Sequence, residues 1–89
     1  MSTRKEDFKV VDKKGFIYNV VLEHMPHLGF SNAYYDDRII GQVELGKLYE
    51  PYTDFESEWE RYEELFAEWR DEIKTSMEVI CKNYFDLLM

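Results

Sequence analysis

All four glycines and both prolines of this 89-residue chain lie at or before Pro51, so residues 54–89 contain neither helix breaker. Within that stretch Phe55, Trp59, Tyr62, Phe66, Trp69, Ile73, Met77, Ile80 and Tyr84 recur at steps of three or four, the period of an amphipathic helix. Thr53-Asp54-Phe55-Glu56 has the spacing of a capping box. In that motif the Thr53 hydroxyl accepts from the third helical N–H, Glu56 reaches back, and Pro51 lies just outside. Carried unbroken to the chain end, such a helix would span about 54 Å, against a radius of gyration of about 12 Å for a compact chain of this length. The sequence therefore predicts a break or kink near residues 73–76, where Thr75 and Glu78 repeat the capping spacing. The alternative is a projecting helix that pairs with a second subunit.

The preceding half carries the opposite signals. Phe8-Lys9-Val10-Val11 and Phe16 to Leu22 are rich in β-branched and aromatic residues and flank Asp12-Lys13-Lys14-Gly15, which reads as a hairpin. Leu22 to Gly29 holds Pro26 and two histidines and is expected to turn away from the sheet. Phe30 to Tyr35 reads as a strand and Asp36-Asp37-Arg38 as a turn. Ile39 to Leu45 reads as a half-buried strand with Ile39, Val43 and Leu45 on one face, and Lys47 to Tyr52 as an edge strand or loop. The expected fold is α+β: an antiparallel sheet of three or four strands over residues 8–50, followed by a long acidic helix over 54–88. It forms one domain, with residues 1–7 as a flexible N-terminus, 8–53 as the β part and 54–89 as the helical part.

Charge follows the same division. Nineteen Asp and Glu oppose eleven Lys and Arg, for a net −8. Residues 1–53 hold seven basic and eight acidic residues, whereas residues 54–89 hold four basic and eleven acidic. Glu56, Glu60, Glu64, Glu68 and Glu72 fall at strict i, i+4 steps, with Asp54, Glu58, Glu63 and Asp71 beside them. Like charges at that spacing cost roughly 0.2–0.5 kcal/mol per pair, and only Arg61 and Arg70 lie within the row to offset them. The row fits two readings, the solvated face of an amphipathic helix or a charge-directed binding surface. Direct binding of nucleic acid or of an anionic membrane needs the opposite charge.

Chemistry-bearing groups are sparse. His24 and His27 straddle Pro26, and with a single cysteine they offer no convincing metal spacing, so both are read as loop histidines. Cys81 sits mid-helix and is read as a small buried hydrophobe. No phosphate-binding, nucleophile-elbow, zincin or EF-hand motif occurs, and the carboxylates crowd one helix instead of converging from several elements. The expectation is a protein without catalytic residues, cofactor or metal. There is no signal-peptide-like apolar region and no apolar run of membrane-spanning length, and the lone cysteine suits a reducing compartment. The expected location is the cytoplasm of a bacterial or infected host cell.

Three functional readings follow. A charge mimic would present Asp54, Glu56, Glu58, Glu60, Glu63, Glu64, Glu68, Asp71 and Glu72, with Tyr49 and Tyr52, to a basic nucleic-acid-processing protein. In size, charge and aromatic content the chain is similar to the small acidic phage proteins that block defence enzymes. Alternatively, the stretch from Gly41 to Glu50 leading into the acidic helix resembles strand-to-helix segments of bacterial toxin-immunity proteins, which implies neutralisation of a basic nuclease toxin. The third reading is a dimeric adaptor in which Trp59, Tyr62, Phe66, Trp69, Ile73, Met77, Ile80, Tyr84 and Leu88 form either core or a subunit interface. The apolar chain end from Tyr84 to Met89 makes a homodimer the expected state.

Overall fold

A computed structural model describes residues 3–88. Four strands, β1 (Arg4–Val11), β2 (Ile17–Met25), β3 (Phe30–Tyr35) and β4 (Arg38–Glu44), pair antiparallel in the order β1-β2-β3-β4, and one helix, α1 (Glu56–Leu87), crosses a single face of the sheet. The α+β arrangement is the one the sequence predicts.

The turns follow from local chemistry. In the first, the Asp12 carboxylate accepts from the backbone N–H of Lys14 and of Phe16, each at 2.9 Å, and from the Tyr18 hydroxyl at 3.0 Å. In the third, Asp36 and Asp37 both take left-handed backbone (φ 52° and 62°), the conformation of a two-residue hairpin turn that short polar side chains tolerate. The strands differ from expectation in three places. Residues 4–7, expected to be flexible, belong to β1 and pair with residues 21–24. β2 runs on to Met25 instead of leaving the sheet at Leu22, so His24 is a strand residue and the turn is confined to 26–29. A bulge opposite Ala33 and Tyr34 inserts Ile40 into β4, so Ile39 points to solvent and Ile40 packs on the core. Residues 47–52 form a loop.

The helix is unbroken through 32 residues. Its length, about 48 Å at 1.5 Å per residue, accounts for the long axis of a molecule measuring 50 × 19 × 18 Å. The break expected near residues 73–76 is absent, since the helix runs continuously across them. Thr75 lies inside the helix and its hydroxyl donates to the Asp71 carbonyl one turn back (3.0 Å), an ordinary intrahelical bond for a threonine. The capping box is also not formed. The N-cap residue is Phe55, no side chain caps it, and the Thr53 oxygen accepts instead from the Phe55 N–H at 3.1 Å.

The core is a seam between this helix and the sheet. Tyr62, Phe66, Trp69, Ile73, Met77, Cys81 and Phe85 are buried, the last five lying four residues apart. Each step of four turns the buried line by about 40°, so it drifts off Ile80 and Tyr84, which are half-buried, and onto Cys81 and Phe85. Against it lie Val10, Val20, Leu22 and Ala33. Phe85 stacks on Tyr18 (centroids 3.9 Å apart, 6° between planes) and meets the edge of Tyr35.

Gly41 sets how closely helix and sheet approach. A Cβ there would lie 2.9 Å from the Ile80 Cγ2 and 3.0 Å from the Met77 Sδ. Gly41→Ala is therefore expected to lower unfolding stability by about 1–3 kcal/mol through overpacking, measured by urea denaturation. Restoration by pairing it with Ile80→Ala would confirm the contact, and an unchanged midpoint in the single variant would exclude it.

Candidate functional site

Burial of the seam decides where the charge goes. With Tyr62, Phe66, Trp69 and Ile73 facing the sheet, the row Glu56, Glu60, Glu64, Glu68 and Glu72 lies on the opposite side of α1, and all five are exposed, as are Asp54, Glu58, Glu63 and Asp71. Ion pairs engage only part of the set. Arg61 reaches Glu64 at 3.5 Å and Arg70 reaches Asp71 at 3.5 Å, both from the same helix. Arg4 comes from β1 and grips Glu63 with two parallel bonds of 2.8 and 2.6 Å, which hold the Glu63 carboxyl below its usual range. Among the described residues Glu56, Glu58, Glu60, Glu68 and Glu72 have no ion-pair partner. The first turns of α1 thus carry uncompensated negative charge beside the exposed rings of Tyr49, Tyr52 and Phe55.

The residues expected to serve as core or dimer contacts divide. Tyr62, Phe66, Trp69, Ile73 and Met77 are buried against the molecule's own sheet and offer nothing to a second copy. Trp59, Ile80 and Tyr84 are half-buried, while Leu88 is exposed along with Leu87. Met89 lies outside the described residues. A different apolar surface remains open. The sheet face turned away from α1 exposes Val11, Ile17, Val21 and Ile39, and Val21 is paired across the strands with Tyr34 and Tyr34 with Ile39.

One polar cluster was not anticipated. His24 is buried, its Nδ1 2.7 Å from the Ser31 hydroxyl and its Nε2 2.9 Å from Glu6, whose other oxygen lies 3.6 Å from the Lys74 ammonium. A carboxylate only accepts, so Nε2 carries the proton and Nδ1 accepts from Ser31. The ring is edged by Phe66 and Trp69. The composition is that of a nucleophile triad, but Ser31 and His24 are sealed beneath the helix where no substrate reaches them. The cluster satisfies polar groups inside the seam. Strand alternation carries His24 onto the same face as Val20 and Leu22, a signal present in the sequence.

Cys81 is buried and its thiol is pushed up to about 11 by that burial, which makes it a poor nucleophile. No group of three or more His, Cys, Asp or Glu among the described residues is placed to hold a metal, and no helix among them is long and apolar enough to cross a membrane. No family model, curated protein or solved structure matches the chain.

Burial lowers the His24 pKa below its ordinary 6.5, reinforced by Arg70 and Lys74 and opposed by the hydrogen bond and charge of Glu6. A depressed folded-state pKa means the neutral ring contributes fully above the unfolded value and loses that contribution as pH falls through the folded one. The urea midpoint is therefore expected to fall as pH drops below about 6.5. In His24→Gln, which keeps a donor and an acceptor without the titration, part of that fall disappears. Equal slopes in the two proteins would refute the assignment.

Proposed function

We propose that the protein is a non-catalytic acidic binding protein that occupies the basic groove of a nucleic-acid-processing protein through the exposed face of α1. The observation that carries this reading is the row from Glu56 to Glu72, solvent-facing along its whole length and largely without cationic partners in its own fold. Steps of about 6 Å between carboxylates are comparable to the spacing of phosphates along a nucleic-acid strand, and a rigid helix presents them without an ordering cost at binding. A toxin-neutralising role would use the same surface on a basic nuclease. In this reading the protein works in the cytoplasm of a bacterial or infected host cell, and a buried, reduced Cys81 fits that setting.

The expected behaviour is retention of basic nucleic-acid-binding proteins on the immobilised chain, with release by double-stranded DNA and a steep loss of binding between about 0.05 and 0.5 M salt as screening sets in. Replacing Glu60, Glu64 and Glu68 by Lys should abolish retention while circular dichroism stays unchanged. Retention of the same proteins by the reversed variant, or indifference to competing DNA, would refute the reading.

A second reading, a homodimeric adaptor, is favoured by the open sheet face and not by the helix stripe, which is already buried. Apolar Val11, Ile17, Val21 and Ile39 on a sheet covered on one side only form a surface a second copy could cover. Sedimentation equilibrium should then give twice the monomer mass, and Ile39→Asp should return the monomer. A monomeric native protein at micromolar concentration would exclude it.

A further inference from the structure

The turn at 26–29, the 45–55 connection and the first turns of α1 meet at one end of the molecule. The Leu48 N–H donates to the Pro26 carbonyl (2.8 Å), and the Trp59 indole N–H donates to the Thr53 carbonyl (2.8 Å), which fixes the indole in place. Between them lies an open cavity of about 230 Å³ lined by His27, Tyr49, Glu50, Pro51, Tyr52 and Trp59. Three aromatic rings and a carboxylate wall a space smaller than a drug-sized ligand needs but adequate for one side chain. Aromatic faces attract cations, and the surrounding acidic helix repels phosphate and carboxylate ligands.

The fold holds its own example of such recognition one turn further along the helix. There the Arg4 guanidinium sits 4.3 Å from the Phe66 ring centroid and 5.6 Å from that of Tyr62 while Glu63 binds it with two hydrogen bonds. Trp59 and Glu60 repeat the positions of Tyr62 and Glu63 three residues earlier, with the exposed rings of Tyr49 and Tyr52 across the cavity. No Lys or Arg among the described residues lies over the Trp59 ring. The cavity wall also includes His27, whose Nδ1 is shielded from solvent and has no hydrogen-bond partner among the described residues.

From these observations we infer that the cavity receives the guanidinium of an arginine side chain from the basic partner, stacked on the aromatic walls and drawn in by the carboxylates of the adjoining helix. This inference rests on the charge-directed reading of α1 and names what that surface grips at its N-terminal end. Arginine fits better than lysine because its planar fork can stack on a ring and donate in several directions at once, whereas an ammonium is a compact, strongly hydrated charge. The helix row draws in any polycation, and the cavity makes the protein prefer arginine.

Octa-arginine and octa-lysine peptides, titrated against the intact protein by isothermal calorimetry at low salt, separate the two contributions. Native protein should bind octa-arginine at least about threefold more tightly than octa-lysine, within the range of a cation–aromatic contact. Tyr49→Ala with Tyr52→Ala, at exposed positions that leave the fold intact, should erase that preference, and Trp59→Phe should reduce it. Reversal of Glu64 and Glu68, further along the helix from the cavity, should weaken both peptides alike. Equal affinity of the native protein for the two peptides, or a preference that survives loss of the tyrosines, overturns the cavity while leaving the helix reading standing. Failure of both peptides to bind overturns the helix reading and the cavity together.

Discussion

One helix has to cover one face of a four-stranded sheet, and nearly every other property of the molecule depends on how that contact is made. The sheet's buried apolar residues are small or branched, Val10, Val20, Leu22 and Ala33, with Tyr18 and Tyr35 packed beside them, and the helix supplies Phe66, Trp69, Ile73, Met77, Cys81 and Phe85. Gly41 lets the helix descend onto β4, where Met77 and Ile80 would otherwise meet a side chain. Closure at both ends is polar. Arg4 ties the start of β1 to Glu63, and Asp86 accepts from the Lys13 N–H in the first turn at 2.8 Å. These clamps and the buried His24 cluster fix the helix along β1, so the seam cannot slide by a turn without breaking them.

The same contact explains why a chain of this size is elongated. The buried line on α1 begins at Tyr62, so the turns from Glu56 to Arg61 extend past the start of β1 and rest on the 45–55 connection instead of the sheet. Those turns cannot bury their apolar residues as fully as the rest, which leaves Phe55 exposed and Trp59 half-buried beside a cavity. Repulsion between carboxylates at i, i+4 weakens this part of the helix by a few tenths of a kcal/mol per pair. Packing of the adjoining seam, worth about 1.5–3 kcal/mol per large buried side chain, holds the helix against that cost.

Much of this is legible in residue order because period and punctuation agree. Gly15 and the Asp36-Asp37 pair mark turns, alternation marks the strands, and the uninterrupted stripe after Thr53 marks the helix. What escaped depends on contacts between distant segments. Pro26 suggested an early end to β2, but the strand continues because His24 finds Ser31 and Glu6 on its neighbours. Either member of the Ile39–Ile40 pair could face inward by alternation, and only the bulge against β3 selects Ile40. Thr75 and Glu78 repeat a cap spacing, yet the seam from Trp69 to Phe85 holds the helix continuous across them. Local signals propose a boundary, and tertiary packing overrides it where a large side chain can be buried on both sides.

The candidate site shows the same division between local and distant information. The exposure of the carboxylate row follows from the sequence alone, since residues opposite an apolar stripe must face water. Its electrostatic character does not, because that depends on which cations the sheet brings near it. β1 delivers Arg4 to Glu63, leaving the flanking Glu60 and Glu68 without ion-pair partners among the described residues. Tyr49 and Tyr52 acquire a shared setting with Trp59 only because the chain doubles back along the 26–29 turn before entering α1. An acidic face becomes directional at the end where it meets those rings, since uniform charge attracts cations of every shape whereas aromatic walls discriminate among them by planarity.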